Sequence, residues 1–100
     1  MKIVYEVTAA VDSALADRFE DFMAERHLPD MMTTGCFLSA TLTRCVDRFR
    51  ITYVAADRAA INKYAAEYGE RLRADTIGRF PNGVEITRET WDVIAIYNSP

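Results

Sequence analysis

Histidine occurs once in this chain and cysteine twice. That scarcity excludes the usual structural zinc sites, which need four Cys or His ligands. The two cysteines, Cys36 and Cys45, read as members of one strand spanning Cys36 to Val46. At about 3.3 Å per residue they stand roughly 30 Å apart. A disulfide needs Cα atoms within about 7 Å. Both are therefore expected as small buried or half-buried thiols, with no bridge between them. Also missing are GxGxxG, a P-loop, CxxC, HExxH and GxSxG. No cofactor is implied and no metal.

Long apolar runs are absent too, and no segment approaches the roughly 18 to 20 apolar residues that span a bilayer. The opening Met1-Lys2-Ile3-Val4-Tyr5-Glu6 lacks the apolar core of a secretory signal, so a cytoplasmic location is expected, without membrane association. Nor is there a basic stripe. Twelve Lys and Arg against fifteen Asp and Glu give a net charge of -3. The cations are scattered, and the nearest cluster (Arg71, Arg73 and Arg79) is interrupted by Glu70 and Asp75. Nucleic-acid binding is therefore not expected.

What is present is an ordinary globular balance, 50% hydrophobic and 27% charged over 100 residues. This is one domain's worth of chain, able to build a core unaided. Residues 1–97 are read as the domain and 98–100 as a frayed tail. Ile3, Tyr5 and Val7 alternate with Glu6 and Thr8, the period of a strand. Asp12 or Ser13 offers a helix N-cap, and Leu15, Phe19, Phe22 and Met23 then form one helical stripe. Leu28-Pro29 is expected to end that helix. A second strand carries Leu38, Ala40 and Leu42 on one face, and Phe37, Ser39, Thr41 and Thr43 on the other. Asp47-Arg48 reads as a tight turn into a third strand bearing Phe49, Ile51, Tyr53 and Ala55. Asp57 caps a second helix with Ile61, Tyr64, Ala65 and Tyr68 on its apolar side. Gly69 is expected to break or kink it, and Leu72, Ile77 and Phe80 continue the apolar side. Pro81-Asn82-Gly83 turns the chain into a last strand, Val84 to Ile96. The parity there slips between Ile86 and Trp91, which a β-bulge near Thr87 to Thr90 would explain.

The order strand, helix, strand, strand, helix, strand defines an α+β, ferredoxin-like βαββαβ plait. Its antiparallel four-stranded sheet carries both helices on one face. The other face holds Val4, Glu6, Thr8, Phe37, Ser39, Thr41, Thr43, Thr52 and Val54. That set is too polar for a core and too rich in Thr, Val and Phe for a plain wet surface. A second copy of the chain is the simplest cover, giving a homodimer with Phe37, Ser39, Thr41, Thr43, Thr52 and Trp91 at the interface. The alternative is a monomer with a solvated face.

Chemistry has few candidates. His27 is the one side chain whose ordinary pKa lies near neutrality, so it is the candidate acid or base. The alternative is a helix-end histidine meeting free carbonyls. By parity Tyr5 and Tyr53 face the helices, and Tyr64 points back at them. Together with Phe22, Met23 and Met32 they outline a ligand-binding cleft between sheet and helices, or else ordinary core. A true ligand cleft should hold several hundred Å³. Two functions stay open: a small-molecule binder or cofactor-free enzyme, and a non-catalytic dimeric interaction or regulatory module.

The segments Ile3-Val4-Tyr5-Glu6-Val7, His27-Leu28-Pro29-Asp30-Met31-Met32, Thr34-Gly35-Cys36-Phe37, and Leu72-Arg73 through Arg79-Phe80 resemble the DUF4286 family. In layout the chain is similar to the dimeric α/β-barrel superfamily. The resemblance implies a ferredoxin-like protomer whose bare sheet packs on its twin. It implies no activity, because the family has none assigned. Superfamily members include cofactor-independent monooxygenases, isomerases, cyclases and haem-degrading enzymes, with clefts between sheet and helices. No haem-ligand or monooxygenase site matches here beyond His27.

Overall fold

The first strand, β1 (Ile3–Val11), is the spine of the sheet. The computed structural model describes residues 1–100. In it β1 pairs antiparallel with β3 (Arg48–Ala55) on one side and β4 (Val84–Asp92) on the other. The remaining strand, β2 (Ser39–Cys45), pairs with β3, so the sheet order is β2-β3-β1-β4. This is the expected ferredoxin-like arrangement.

Two helical arms cover one face. The first passes through α1 (Ala16–Phe22), a π-helical turn (Met23–His27) and α2 (Leu28–Thr33). The second passes through α3 (Arg58–Tyr64), another π-helical turn (Ala65–Gly69) and α4 (Glu70–Arg79). A single 3₁₀ turn, Ser13–Leu15, leads into the first arm. Asp57 caps the second arm as expected, its carboxylate accepting from the Ala60 N–H at 2.9 Å. Asp12 stands at the entrance to the first arm but makes no side-chain cap. Its backbone N–H donates instead to the Gly83 carbonyl at 2.8 Å.

The period-two pattern holds along β1 and β3. Ile3, Tyr5, Ala9, Val11, Phe49, Ile51, Tyr53 and Ala55 are buried beneath the arms. From the arms come Ala16, Phe19, Phe22, Met23, Met31, Tyr64, Leu72 and Phe80. Each fully buried large side chain among these contributes about 1.5–3 kcal/mol.

Several expectations are corrected. Pro29 does not end the helix; it lies in the first turn after the π-helical one, where the hydrogen-bond ladder is being re-established and a missing N–H costs little. Gly69 does not break the second arm either; it closes a π-helical turn and the helix runs on. That wide turn rotates the apolar side, which continues through Gly69, Leu72 and Thr76 and leaves Ile77 exposed. The β1–β4 register is unbroken from Ile3↔Asp92 to Val11↔Val84, so there is no bulge, and β4 ends at Asp92 instead of Ile96. The hairpin turn is Val46-Asp47, one residue earlier than read, with Val46 left-handed at φ 59°. Cys36 precedes β2 and is buried, while Cys45 is exposed; neither is bridged. Phe37 also precedes β2, so the strand's alternation does not govern it. It turns into the core and leaves the bare face.

Gly83 closes the turn before β4 at φ 83°. A Cβ there would meet the Asp12 carboxylate and Leu15 at 2.8 Å, so both conformation and space demand glycine.

Candidate functional site

The cleft lies between the sheet and the two arms. The sheet supplies Tyr5 and Val7 from β1, Ile51 and Tyr53 from β3, and Ile86 and Arg88 from β4. The first arm adds Met23, His27 and Met31; the second adds Tyr64, Arg73 and Thr76. Of the expected site residues, the structure brings Tyr5, Tyr53, Tyr64, Met23 and His27 together here. Met32 is not in the lining; Met31 takes the place expected of it. Met31 follows His27 by four residues, and His27 follows Met23 by four, so the three share one inward side of the first arm. Phe22 sits behind His27, the ring centroids 6.0 Å apart, and faces the outer groove with Arg79 over its other side.

Both π-helical turns lie at the cleft. The first begins at Met23 and ends at His27, two lining residues; the second starts just after Tyr64. Such turns are uncommon and are found frequently at functional sites. A bidentate ion pair ties the arms together at the same level, with Arg26 Nε and Nη2 donating to the Asp75 carboxylate at 3.2 and 3.1 Å.

The three tyrosines and Phe37 form one aromatic cluster. Tyr5 and Tyr53 stack at 5.6 Å, Tyr5 and Tyr64 approach at 5.9 Å, and Phe37 lies 5.1 Å from both Tyr53 and Tyr64. The phenols are each more than nine-tenths buried. None makes a hydrogen bond to protein, and none of their oxygens is sealed from free space. Burial drives the Tyr53 hydroxyl far above its ordinary pKa and pushes Tyr64 up to about 12. At neutral pH the Tyr53 and Tyr64 hydroxyls therefore keep their protons and can act as donors.

His27 lies part-buried, with Nδ1 3.3 Å from Thr76 Oγ1. Loss of solvent lowers its pKa below 6.5, against the pull of Asp30 and Asp75 and with help from Arg88. A neutral imidazole beside phenols can accept or relay a proton. The free space is small, about 20 Å³, enough for one water. The several hundred Å³ expected of a ligand cleft are not open in this protomer.

Sequence reading missed Arg73, Arg88, Thr76 and Met31 as lining residues. Arg88 was hidden by the supposed bulge: without it, Arg88 shares the parity of Val84 and Ile86 and must face the arms. Met31 and Thr76 follow π-helical turns, for which no residue pattern is diagnostic.

On the opposite face the register sets four rows, led by Ser39-Val54-Val4-Trp91 and Thr41-Thr52-Glu6-Glu89. Thr43-Arg50-Thr8-Thr87 and Cys45-Arg48-Ala10-Glu85 follow. Ser39, Thr41, Thr43, Thr52 and Trp91 thus share the bare face as expected. No set of three or more His, Cys, Asp or Glu side chains gathers anywhere to hold a metal ion. No helix is long and apolar enough to cross a membrane.

This fold defines a small ferredoxin-like α+β protein. The chain belongs to the DUF4286 family, a domain of unknown function, whose model matches residues 2–94. Among solved structures it is similar to a mutant form of SnoaB, a cofactor-independent oxygenase from Streptomyces nogalater. That likeness has a TM-score of 0.78 and 16% identity over 98% of each chain. A dimeric ferredoxin-like protein from an uncultured marine organism gives TM-score 0.70 and 22% identity over 96% of this chain and 98% of that one. A putative antibiotic biosynthesis monooxygenase from Deinococcus radiodurans gives 0.68 and 13%, over 98% of each. At these identities the likeness is one of fold. No curated protein matches the chain.

Proposed function

We propose that the protein is a homodimer that binds a small molecule, and acts on it or senses it, in the cleft between sheet and helices. The observation that carries this reading is the convergence on a single cleft of three phenols, their rings buried and their oxygens open to free space, with the one imidazole of the chain. The architecture shared with a cofactor-independent oxygenase supports it.

The dimer reading draws on the bare face. Val4, Val54 and Trp91 make its apolar end. Charge is segregated across it: Arg48 and Arg50 stand on β3, and Glu6, Glu85 and Glu89 on β1 and β4. A two-fold axis along the strands lays the arginine half of one copy over the glutamate half of the other, which is self-complementary. The segment after β4 adds exposed Ile94, Ile96 and Tyr97, apolar surface that a second copy can cover. The likeness to a dimeric ferredoxin-like protein points the same way.

Native mass spectrometry of the protein purified from cells tests both parts. The expected result is a mass of two chains, with an adduct lost when Met23→Trp fills the cleft. A single-chain mass removes the dimer. A dimer free of adduct, whose melting temperature rises with no added small molecule, removes the ligand. The limited free space favours a second reading, a dimeric interaction module without a ligand, and that last outcome is the one it predicts.

A further inference from the structure

Large apolar side chains are exposed at eight positions, and six of them gather at one end of the sheet. Met1, Leu38, Trp91, Ile94, Ile96 and Tyr97 all lie where β1 begins and β4 ends. The last three belong to the segment after β4. The Val93 N–H donates to the Lys2 carbonyl at 2.9 Å, and no backbone hydrogen bond follows it. The run Val93-Ile94-Ala95-Ile96-Tyr97 carries no charge, and its own chain leaves Ile94 89% and Tyr97 94% exposed. Contiguous apolar surface of this kind marks a contact, since each Å² taken from water is worth about 25 cal/mol.

The two-fold axis fixes where the run lies. The axis that sets Arg48 and Arg50 against glutamates runs along the strands. It reverses strand order but keeps strand direction and level. β4 of one copy therefore lies over β2 of the other, and Trp91 over Ser39. Leu38, itself 57% exposed, directly precedes Ser39, and β2 has no neighbour on its outer edge. Facing sheets stand about 10 Å apart, and five residues reach up to roughly 16 Å, so the run spans from its own sheet to the partner's.

We propose that residues 93–97 form an arm that packs on a second copy of the chain, against the corner where that copy's β2 begins, at Leu38 and Ser39. This deepens the dimer reading above and rests on it. Each copy gives one arm and receives one, so a single two-fold covers both runs. The charged part of the face sets the axis, and the arms close its apolar end.

Sedimentation equilibrium of the full-length protein tests the arm. Ile94→Asp combined with Ile96→Asp should raise the dimer's dissociation constant at least about tenfold, with far-ultraviolet circular dichroism unchanged. Ile77→Asp, at an exposed apolar position on α4, should leave the constant unchanged. Crosslinking with a short bismaleimide tests the corner. Leu38→Cys and Ile94→Cys are placed in separate chains, each also carrying Cys45→Ser. A two-chain band should form when the two are mixed and far less from either alone, because the two-fold sets like positions on opposite edges. A dimer that tolerates the paired Asp variant leaves the run free for another partner and overturns the arm, while the dimer reading stands. A link no stronger in the mixture than in either chain alone overturns the corner. A parent chain with the mass of one copy removes the arm and the dimer reading together.

Discussion

His27 is the residue on which the acid side of the stability profile turns. Its folded pKa lies below the 6.5 of an unfolded histidine because burial disfavours the imidazolium. As the pH falls through 6.5 the unfolded chain takes up the proton first, so stability declines. Urea midpoints at pH 7.5 and 5.5 should fall with acid in the parent chain and fall less in His27→Gln. An equal decline in both would show that the ring is not shielded. Val46 is a second residue with a clear expectation. A β-branched side chain in the left-handed region costs about 1–2 kcal/mol, and Asn tolerates that region better. Val46→Asn should raise stability by about 1 kcal/mol, read from the unfolding midpoint; a lower midpoint would contradict it. Neither effect is visible in sequence. Residue pattern sets the turn one position late, and it sets His27 at a helix end because Pro29 looks like a terminator.

At the scale of elements, the two π-helical turns separate what sequence can tell from what it cannot. The stripes that begin each arm are legible, because Phe19, Phe22 and Tyr64 sit in regular α-helix with ordinary spacing. Past each wide turn the reading is less faithful: Leu72 and Phe80 face inward as expected, but Met31 replaces Met32 in the lining and Thr76 is buried in place of Ile77. The strands read more faithfully, since an unbroken ladder keeps one parity along its length. Parity fails where it is overruled, by supposing a bulge in β4 and by extending β2 back to Phe37. The glycines give an element-level test. Gly69 has ordinary helical dihedrals, and a Cβ there would meet the Tyr64 ring at 3.5 Å, a normal contact. Gly69→Ala should stabilise the second arm by about 0.5–1 kcal/mol. Gly83→Ala should destabilise by more than that gain, from its φ and the 2.8 Å approach to Asp12 and Leu15. Thermal melts of the two variants moving in the same direction would refute the contrast.

At the scale of the whole molecule the sheet's two faces carry different expectations. The arms' face is closed by apolar packing; the other is where a second copy is proposed. With Phe37 in the core, the apolar end of that face is Val4, Val54 and Trp91. Val4→Lys combined with Val54→Lys sets like charges there without touching the core. The double variant should elute at the mass of one chain in light scattering while its far-ultraviolet circular dichroism is unchanged. A mass of two chains would place the interface elsewhere. Most of this face is legible in sequence, because Thr41, Thr43, Thr52, Glu6 and Thr8 keep strict alternation. Its charge segregation is not, because it depends on which strands are neighbours.

The central position of β1 has a consequence for how the chain is made. This strand leaves the ribosome well before β4, yet must wait for it: Ile3 meets Asp92 and Val11 meets Val84. Until β4 is synthesised, one edge of the spine stays open and its backbone donors and acceptors lie free. Pairing of such distant segments is slow, and an open strand edge invites association with other chains. A nascent chain stalled before Val84 should therefore aggregate, and the sheet is completed only when synthesis has passed Asp92.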